Sequence, residues 1–595
     1  MDRKNIAVFS LLSLLSAYMS ECIARGTFGP RVGFGAFLLT SLFFACLIWA
    51  LWIASNRLWI AYSVIFTFMF FLSSASWSKL ANRGVALQPA DLRHGLSIFG
   101  VIGSEQVIIS PQMIFFFIIG AAIVEGLVLG RKLFKPNVRG YAKISAAAIF
   151  LFLLFLPAYG SGSFVLKFTS TAFEDLRIDA PELLAESDPS LGVSADAPVM
   201  VNSDEYLLAL LDEIDAQFPA ESPPPETPDV IIILSESFWD FSTMPAIRLD
   251  GEIAPNFREL AENAVSGNFL SRTYAGGTAG VEYELLTGVI YRYLSGSEFA
   301  YEDAVNDPTP TLATLFKERG YDTTVMHSYY STFYNRDNAM PLLGFDNLIF
   351  LEQMDDAPNS GRSVSDEYLS QRMIGILEDS EKPQFLFTIS MEAHQPYSAD
   401  RYPGNTVKIL NGGMPDKLKT SAETYIQSIN NADAALKTLT DYLSERERPA
   451  VVLFFGDHQP NLGPEYGLYR YTGQLKDREN ITFSEAKDIL AVPYLIWSNY
   501  KTDTAQISDF GCSFLGNMLL NYIGGPKPLW YRFLDWTYSN KFHYDNRDLL
   551  FIDSDGGEYG KRPAEYSTFA ATYRRLELAW LSADGEIYDR LSKSQ

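Results

Sequence analysis

Cysteine is nearly absent: three stand in 595 residues, at positions 22, 46 and 512. Cys22 and Cys46 fall inside long apolar runs and Cys512 stands alone, so neither a disulfide framework nor a CxxC metal motif can be built from them. Basic residues are also in short supply, with 47 Lys and Arg against 71 Asp and Glu and a formal net charge of −24. That balance argues against nucleic acid as a partner, because phosphate backbones are held by Lys and Arg. The solubility of an exposed acidic domain accounts for it equally well. Histidine is scarce too, five in the whole chain, so the place of each one is informative.

Apolar sequence is abundant, and it is concentrated at one end. Up to about Tyr159 five stretches, at about 5–24, 33–54, 57–76, 111–130 and 144–161, approach the roughly 20 residues that cross a bilayer. The start, Met1-Asp2-Arg3-Lys4 and then an apolar run, has the form of a signal peptide; four further stretches favour a retained anchor. The densest basic cluster beside them is Arg131, Lys132, Lys135, Arg139 and Lys143. Placing it inside also puts Arg3 and Lys4 inside, and five crossings then leave everything after about residue 162 outside. Arg25 and Arg31 would face outward, a conflict the larger cluster outweighs. The semi-apolar piece Leu96–Ile102 is expected at the interface, and Glu125 is an intramembrane charge without an evident partner, which does not make a transport path.

Residues 163–228 are polar and acidic, and their proline-rich end, Glu221–Pro228, reads as a stiff spacer. A short helix is expected at Tyr206–Ile214, inside what otherwise reads as a tether. From Asp229 onward strand-like runs at 230–234, 323–326, 384–390, 449–455 and 492–497 alternate with helix-like ones, the pattern of a largely parallel α/β sheet. Thr311–Arg319 reads as a helix closed by Gly320, and Ala422–Leu443 as a longer one with Tyr425, Ile429, Ala432 and Leu436 on its core face. The aromatic tail from about residue 525, with Trp530, Trp536 and Tyr538, is expected to pack on this domain. The expected organisation is 1–162 membrane domain, 163–228 linker and 229–595 catalytic domain.

Several strand-like runs end in polar side chains that bind metals or phosphate. Val230–Leu234 leads to Glu236, 323–326 to His327, 384–390 to Glu392 and His394, and 449–455 to Asp457-His458. Such unbroken apolar runs suit strands covered on both faces, and open α/β sheets build their sites just past the strand ends. Three of the five histidines fall at such ends. Glu236, Asp457 and His458 make an oxygen-rich set with one imidazole, suited to Mn²⁺, Mg²⁺ or Zn²⁺ more than to copper. A nucleophile is offered by Gly276-Gly277-Thr278, which a helix-like run follows. A threonine at a helix N-terminus faces the amide donors that favour phosphate, and metal coordination would activate its hydroxyl. A plain helix cap is an equally good reading of Thr278 by itself.

Taken together these residues resemble the lipoteichoic acid synthase family, membrane phosphoglycerol transferases within the alkaline phosphatase/sulfatase superfamily. The family's metal-binding Glu matches Leu234-Ser235-Glu236-Ser237, its metal-bound catalytic Thr matches Thr278 with Glu282 four residues on, and its Asp-His ligands match Gly456-Asp457-His458. The most specific match runs from His327 through Tyr334-Asn335-Arg336-Asp337 to Gly344-Phe345-Asp346. The resemblance implies five transmembrane helices followed by an extracellular α/β domain of alkaline phosphatase/sulfatase-like fold. It implies one divalent ion, Mn²⁺ first, held by Glu236, Thr278, Asp457 and His458. His327, Tyr334, Arg336 and His394 would bind the phosphoglycerol group, and His394 or His327 would carry the proton. The implied reaction passes glycerol phosphate from phosphatidylglycerol, through a phosphoglyceryl-Thr278 enzyme, to a glycolipid or glycan of the cell envelope. The chain departs from the family pattern at Tyr334, where the best-known members have Trp, at Ala279-Gly280-Val281, which is less polar, and at Tyr329, where a polar side chain is usual. These changes lie on the substrate side and leave the acceptor open. A sulfatase is the alternative hydrolase, but the Cys/Ser-x-Pro/Ala-x-Arg setting it needs is missing around Thr278; a phosphoethanolamine transferase is the nearer alternative.

Overall fold

A computed structural model describes residues 3–29, 32–83, 86–87, 109–131, 203–222 and 227–594, apart from 245, 295–298, 478–479 and 547–548. The chain divides into two compact units, Met1–Glu186 and Ser187–Gln595.

In the first unit four helices, α1 (Arg3–Arg25), α2 (Phe34–Ser55), α3 (Leu58–Arg83) and α4 (Pro111–Leu129), are described. Each is long and apolar enough to cross a membrane. They coincide with the first four expected stretches; the fifth, at 144–161, the piece 96–102 and the basic residues from Lys132 to Lys143 lie outside the described residues. The helices pack through Phe44, Ile48, Trp52, Tyr62 and Phe116, which are buried. Phe34, Leu38 and Leu42 on α2 and Ile114, Phe117 and Ile118 on α4 point outward instead. A helix that is apolar on its outer face as well as its inner one suits lipid, not water. Glu21 is buried and paired with Arg25 at 3.3 Å, whereas Glu125 is exposed on α4.

The second unit is built on a nine-stranded sheet. Its strands are β1 (Asp229–Ser235), β2 (Val265–Leu270), β3 (Asp322–His327), β4 (Asn347–Ile349), β5 (Gln384–Ile389), β6 (Ala450–Gly456), β7 (Ala491–Ser498) and the two-residue pieces β8 (Ala505–Gln506) and β9 (Phe510–Gly511). The order across the sheet is β8, β2, β7, β6, β1, β5, β3, β4, with β9 also on β2. β6, β1, β5, β3 and β4 pair in parallel, whereas β7 runs antiparallel to both β6 and β2. All five expected strands are present, and the sheet is mixed at the one marked 492–497. Every residue of β1, β5 and β6 is buried, as their unbroken apolar sequences require. Ile231, Ile233, Leu386, Val452 and Phe454 face a helix α8 (Asp416–Ser444), which meets them with Tyr425, Ile429, Ala432 and Leu436. On the opposite face Phe385 stacks on Phe316 with ring centroids 4.9 Å apart, and Phe387 on Phe345 at 6.2 Å. Phe316 belongs to the expected helix near 311–319, here α7 (Leu312–Glu318), capped by the Thr311 hydroxyl.

The helix expected near 206–214 is α5 (Asp204–Gln217), and it belongs to the second unit. Leu207, Leu211 and Ile214, one turn apart, are buried. Its acidic residues are gripped by the C-terminal region: Arg590 reaches Asp212 at 2.8 Å and Asp215 at 2.7 Å, and Arg532 also pairs with Asp215. The acidic stretch therefore is not a bare tether over this length, because its apolar stripe and its acids both have partners. The aromatic tail packs on the domain as expected, with Trp530 and Trp536 buried.

Candidate metal centre and active site

Parallel strands put their C-terminal ends at one edge of a sheet, and here those ends carry the chemistry. β1 and β6 are adjacent in register, Ser235 opposite Gly456. The residues that follow, Glu236 on one strand and Asp457-His458 on the other, are therefore forced together. Gly456 is required there, since a Cβ would run into the Phe238 carbonyl. Glu236, Asp457 and His458 are all buried and each offers a ligand atom within 4.8 Å of the others. His458 Nε2 stands 3.2 Å from Asp457 Oδ2 and 3.8 Å from Glu236 Oε1.

The surroundings orient these groups. Asp457 Oδ1 accepts from the Ser237 and His458 amides at 2.8 and 3.0 Å, leaving Oδ2 to face the cluster. The Ser237 hydroxyl donates to Glu236 Oε1 at 2.8 Å, and the Glu236 amide donates to Ser390 Oγ at 3.2 Å. His458 Nδ1 lies 3.1 Å from the Gln459 carbonyl, which fixes the proton on Nδ1 and turns the Nε2 lone pair inward. Burial, and next the charge of Asp457, push the Glu236 carboxyl up to about 8. Two buried carboxylates and an imidazole lone pair repel one another in this state, and a divalent cation is the species that would bind all three at once. The donor set therefore fits the expected ion.

Thr278 completes the group. It is the first residue of α6 (Thr278–Thr287), entered through Gly276 and Gly277 at φ +146° and +82°. Its side chain makes no cap bond; Gly277 holds the cap position, and Thr278 Oγ1 donates to Asp457 Oδ2 at 2.7 Å. Between the two readings open from sequence, the capping one is thus excluded by geometry. Ser237, Ala275, Tyr334 and Asn335, none of them glycine, take left-handed φ between +52° and +57° around the site, backbone strain of the kind that collects at functional positions.

The remaining expected residues lie on the neighbouring strands. His327 ends β3 and is buried, with Nδ1 3.1 Å from the Ile389 carbonyl and no partner on Nε2. Burial, followed by the charge of Arg336, holds its pKa well below the usual imidazole value, so the ring is neutral. Arg336 is also buried, and its fork lies on Glu282, with Nε 3.2 Å from Oε2 and Nη2 on Oε1; Nη1 reaches the Phe333 carbonyl at 3.1 Å. Tyr301 adds a hydrogen bond to Glu282 at 2.7 Å, and the Tyr334 ring lies 5.2 Å from the guanidinium. α6 therefore carries the threonine at its start and, one turn on, the anchor of the arginine. His394 is half-buried with Nδ1 2.7 Å from the Gln395 carbonyl. Its loop is held by Arg401, whose guanidinium binds the carbonyls of Glu392, His394 and Pro396. The sequence reading assigned nothing to Ser237, Ser390 or Arg401. Ser237 was signalled only by its place next to Glu236, and the other two come from distant segments.

Residues 228–515 match the protein-family model described as Sulfatase. A putative cyclic beta-1,2-glucan modification protein of Rhizobium meliloti is 31% identical over 354 residues, 59% of this chain and 54% of that protein. Lipoteichoic acid synthase 1 of Bacillus subtilis is 25% identical over 239 residues, 39% of this chain and 36% of its own length. The alignments thus span about half or less of these relatives. Among solved structures, a Streptococcus pyogenes phosphoglycerol transferase in complex with sn-glycerol-1-phosphate has the same fold, with a TM-score of 0.54 at 18% identity over 69% of this chain and 98% of that one. The segment 228–515, which carries the Glu-Asp-His cluster and the threonine at the edge of its sheet, is thus similar to sulfatase domains and, over part of their length, to the lipoteichoic acid synthases.

Proposed function

We propose that this protein is a phosphoglycerol transferase that moves glycerol phosphate from phosphatidylglycerol to a hydroxyl of a cell-envelope acceptor. The observation that carries the reading is the Thr278 hydroxyl, 2.7 Å from Asp457 within the Glu236–Asp457–His458 cluster. Glu236, Thr278, Asp457 and His458 would hold one divalent ion, for which Mn²⁺ is the first choice and Mg²⁺ and Zn²⁺ the alternatives. When bound, such an ion polarises the phosphoryl oxygens and lowers the pKa of the threonine hydroxyl.

The residues then divide the work in two steps. Thr278 Oγ forms a bond to phosphorus while the bond from phosphorus to the diacylglycerol oxygen breaks, and diacylglycerol leaves with a proton. The product is a phosphoglyceryl-threonine. An acceptor hydroxyl attacks the same phosphorus from the opposite side, the Thr278 oxygen leaves, and the acceptor's proton passes by way of an imidazole to the Thr278 oxygen, which restores the hydroxyl. His394, at the edge of the site, is suited to that exchange, as is the unpartnered Nε2 of His327. His327, Tyr334 and Arg336 would bind the phosphoglycerol group, the arginine kept in place by Glu282. The apolar helices at the N-terminus suit a lipid donor, and the catalytic unit is assigned to the outer face of the cell membrane. The acceptor is either a lipoteichoic acid-type polymer or a glycan; the similarity to a putative glucan modification protein supports the second.

The test is incubation of the full-length protein with fluorescent phosphatidylglycerol and Mn²⁺. Diacylglycerol is expected to appear, with a phosphoglyceryl adduct on the Thr278 peptide, and Thr278→Ala should abolish both. An adduct on another residue sinks the assignment.

A further inference from the structure

The turn after β3 carries a row of aromatic rings that runs from the surface into the site. Tyr329 meets Tyr330 with ring centroids 5.2 Å apart and Phe333 at 5.1 Å, and Phe333 meets Tyr334 at 4.5 Å. Exposure falls along the row, from 54% at Tyr330 to 5% at Tyr334. Its inner end lies beside Arg336, and the His327 ring is 6.3 Å from Tyr329. Among the described residues of the catalytic unit Tyr330 is the most exposed tyrosine.

The turn is fastened from both sides. The Ser331 amide and hydroxyl donate to Glu352 Oε1 at 3.1 and 3.0 Å, and the Leu351 amide donates to the Tyr329 carbonyl at 3.1 Å. The Phe333 amide donates to the Tyr330 carbonyl at 3.0 Å, and that of Asp337 to the Ser331 carbonyl at 3.0 Å. Tyr330 thus presents an aromatic side chain to solvent on a fastened turn, at the outer end of a row that leads to Arg336, where an exposed surface would favour a polar residue.

Charge narrows what this face receives. Beside Tyr330 stands Glu352, held by Ser331; Asp337, Asp355 and Asp356 belong to the same stretch of chain, Asp346 is paired with Lys317, and the one cation between Ser328 and Ser360, Arg336, has its fork on Glu282. A polyanionic chain lying on Tyr330 would meet the Glu352 carboxylate and no free cation of this stretch. A neutral sugar is not repelled there: it lays its C–H face on an aromatic ring and donates its hydroxyls to carboxylates.

We infer that Tyr330 and Tyr329 form the acceptor platform, and that the acceptor is an uncharged glycan whose sugar ring lies on the Tyr330 face. The inference rests on the transferase reading above and selects between the two acceptor classes left open there.

Binding and turnover separate the two. Isothermal titration of the full-length protein in lipid nanodiscs with a neutral β-1,2-glucan should show affinity falling about tenfold in Tyr330→Ala. Tyr330→Trp should keep it, and Tyr206→Ala, which removes an exposed tyrosine on α5, should not change it. Equal glucan affinity in wild type and Tyr330→Ala, or tighter binding of polyglycerol phosphate than of glucan, overturns the platform. In turnover, Tyr330→Ala should raise KM for glucan by the same factor and KM for phosphatidylglycerol much less. Absence of diacylglycerol release from the wild type would overturn the transferase reading, while the titration by itself still decides the platform.

Discussion

The pair of Glu282 and Arg336 joins the helix of the proposed nucleophile to the proposed phosphate-binding residues, and Glu282→Gln tests how much depends on it. The side chains are 0% and 1% exposed, so neither charge has water to fall back on. The substitution keeps the shape and leaves Tyr301 a partner, but it withdraws the counter-charge from a buried guanidinium. Removing one partner of such a pair costs about 3–5 kcal/mol, and the amide oxygen, still an acceptor, puts this variant near the lower end. Against a total stability of about 5–15 kcal/mol for a domain, that is a large fraction. The double variant Glu282→Gln/Arg336→Met removes both charges and should recover most of the loss. The assay is urea unfolding of the full-length protein in detergent, with hydrogen exchange of the α6 peptide as the local readout. The single variant should also bind sn-glycerol 1-phosphate more tightly, because the guanidinium is no longer neutralised by Glu282. A cost below about 1 kcal/mol in the single variant, or a double variant destabilised by the sum of the two singles, would show that the pair does not carry this load.

Two further outcomes follow from the same geometry. Glu236→Ala and His458→Ala should each lose bound metal by elemental analysis, since each removes one of three converging ligands; unchanged metal content in both would refute the site. Glu577 is buried, accepts from the Ile290 amide at 2.5 Å, and its carboxyl is pushed well above the usual range, first by burial. Because the folded protein keeps that proton to a higher pH than the unfolded chain, stability falls as pH rises from the ordinary carboxylate range through the folded pKa. Glu577→Gln should therefore raise the melting temperature more at pH 8 than at pH 5, and parallel profiles of variant and wild type would contradict this.

Much was already determined by local pattern in the sequence. Runs such as Val230–Leu234 and Val451–Phe455 have no polar face, so they can only be central strands, and the residues after them must lie at the sheet edge. That placed Glu236, Asp457, His458 and His327 without any tertiary information. The apolar helices at the N-terminus were legible for the same reason, as length and composition suffice. β2 was not legible: Val265–Leu270 is short, half-polar and contains glycine, and it is a strand because β7 pairs with it along one edge and β8 and β9 along the other.

The tertiary structure decided matters that no local pattern encodes. Whether Thr278 caps its own helix or points at Asp457 depends on where a segment 179 residues away comes to lie. That the Arg336 fork sits on Glu282, and that Asp212 and Asp215 hold α5 against Arg590, are likewise pairings between remote residues. Periodicity reports which face of an element is apolar; it cannot report which charge another element will bring to the opposite one, because that is set by the packing of the whole sheet and its helices.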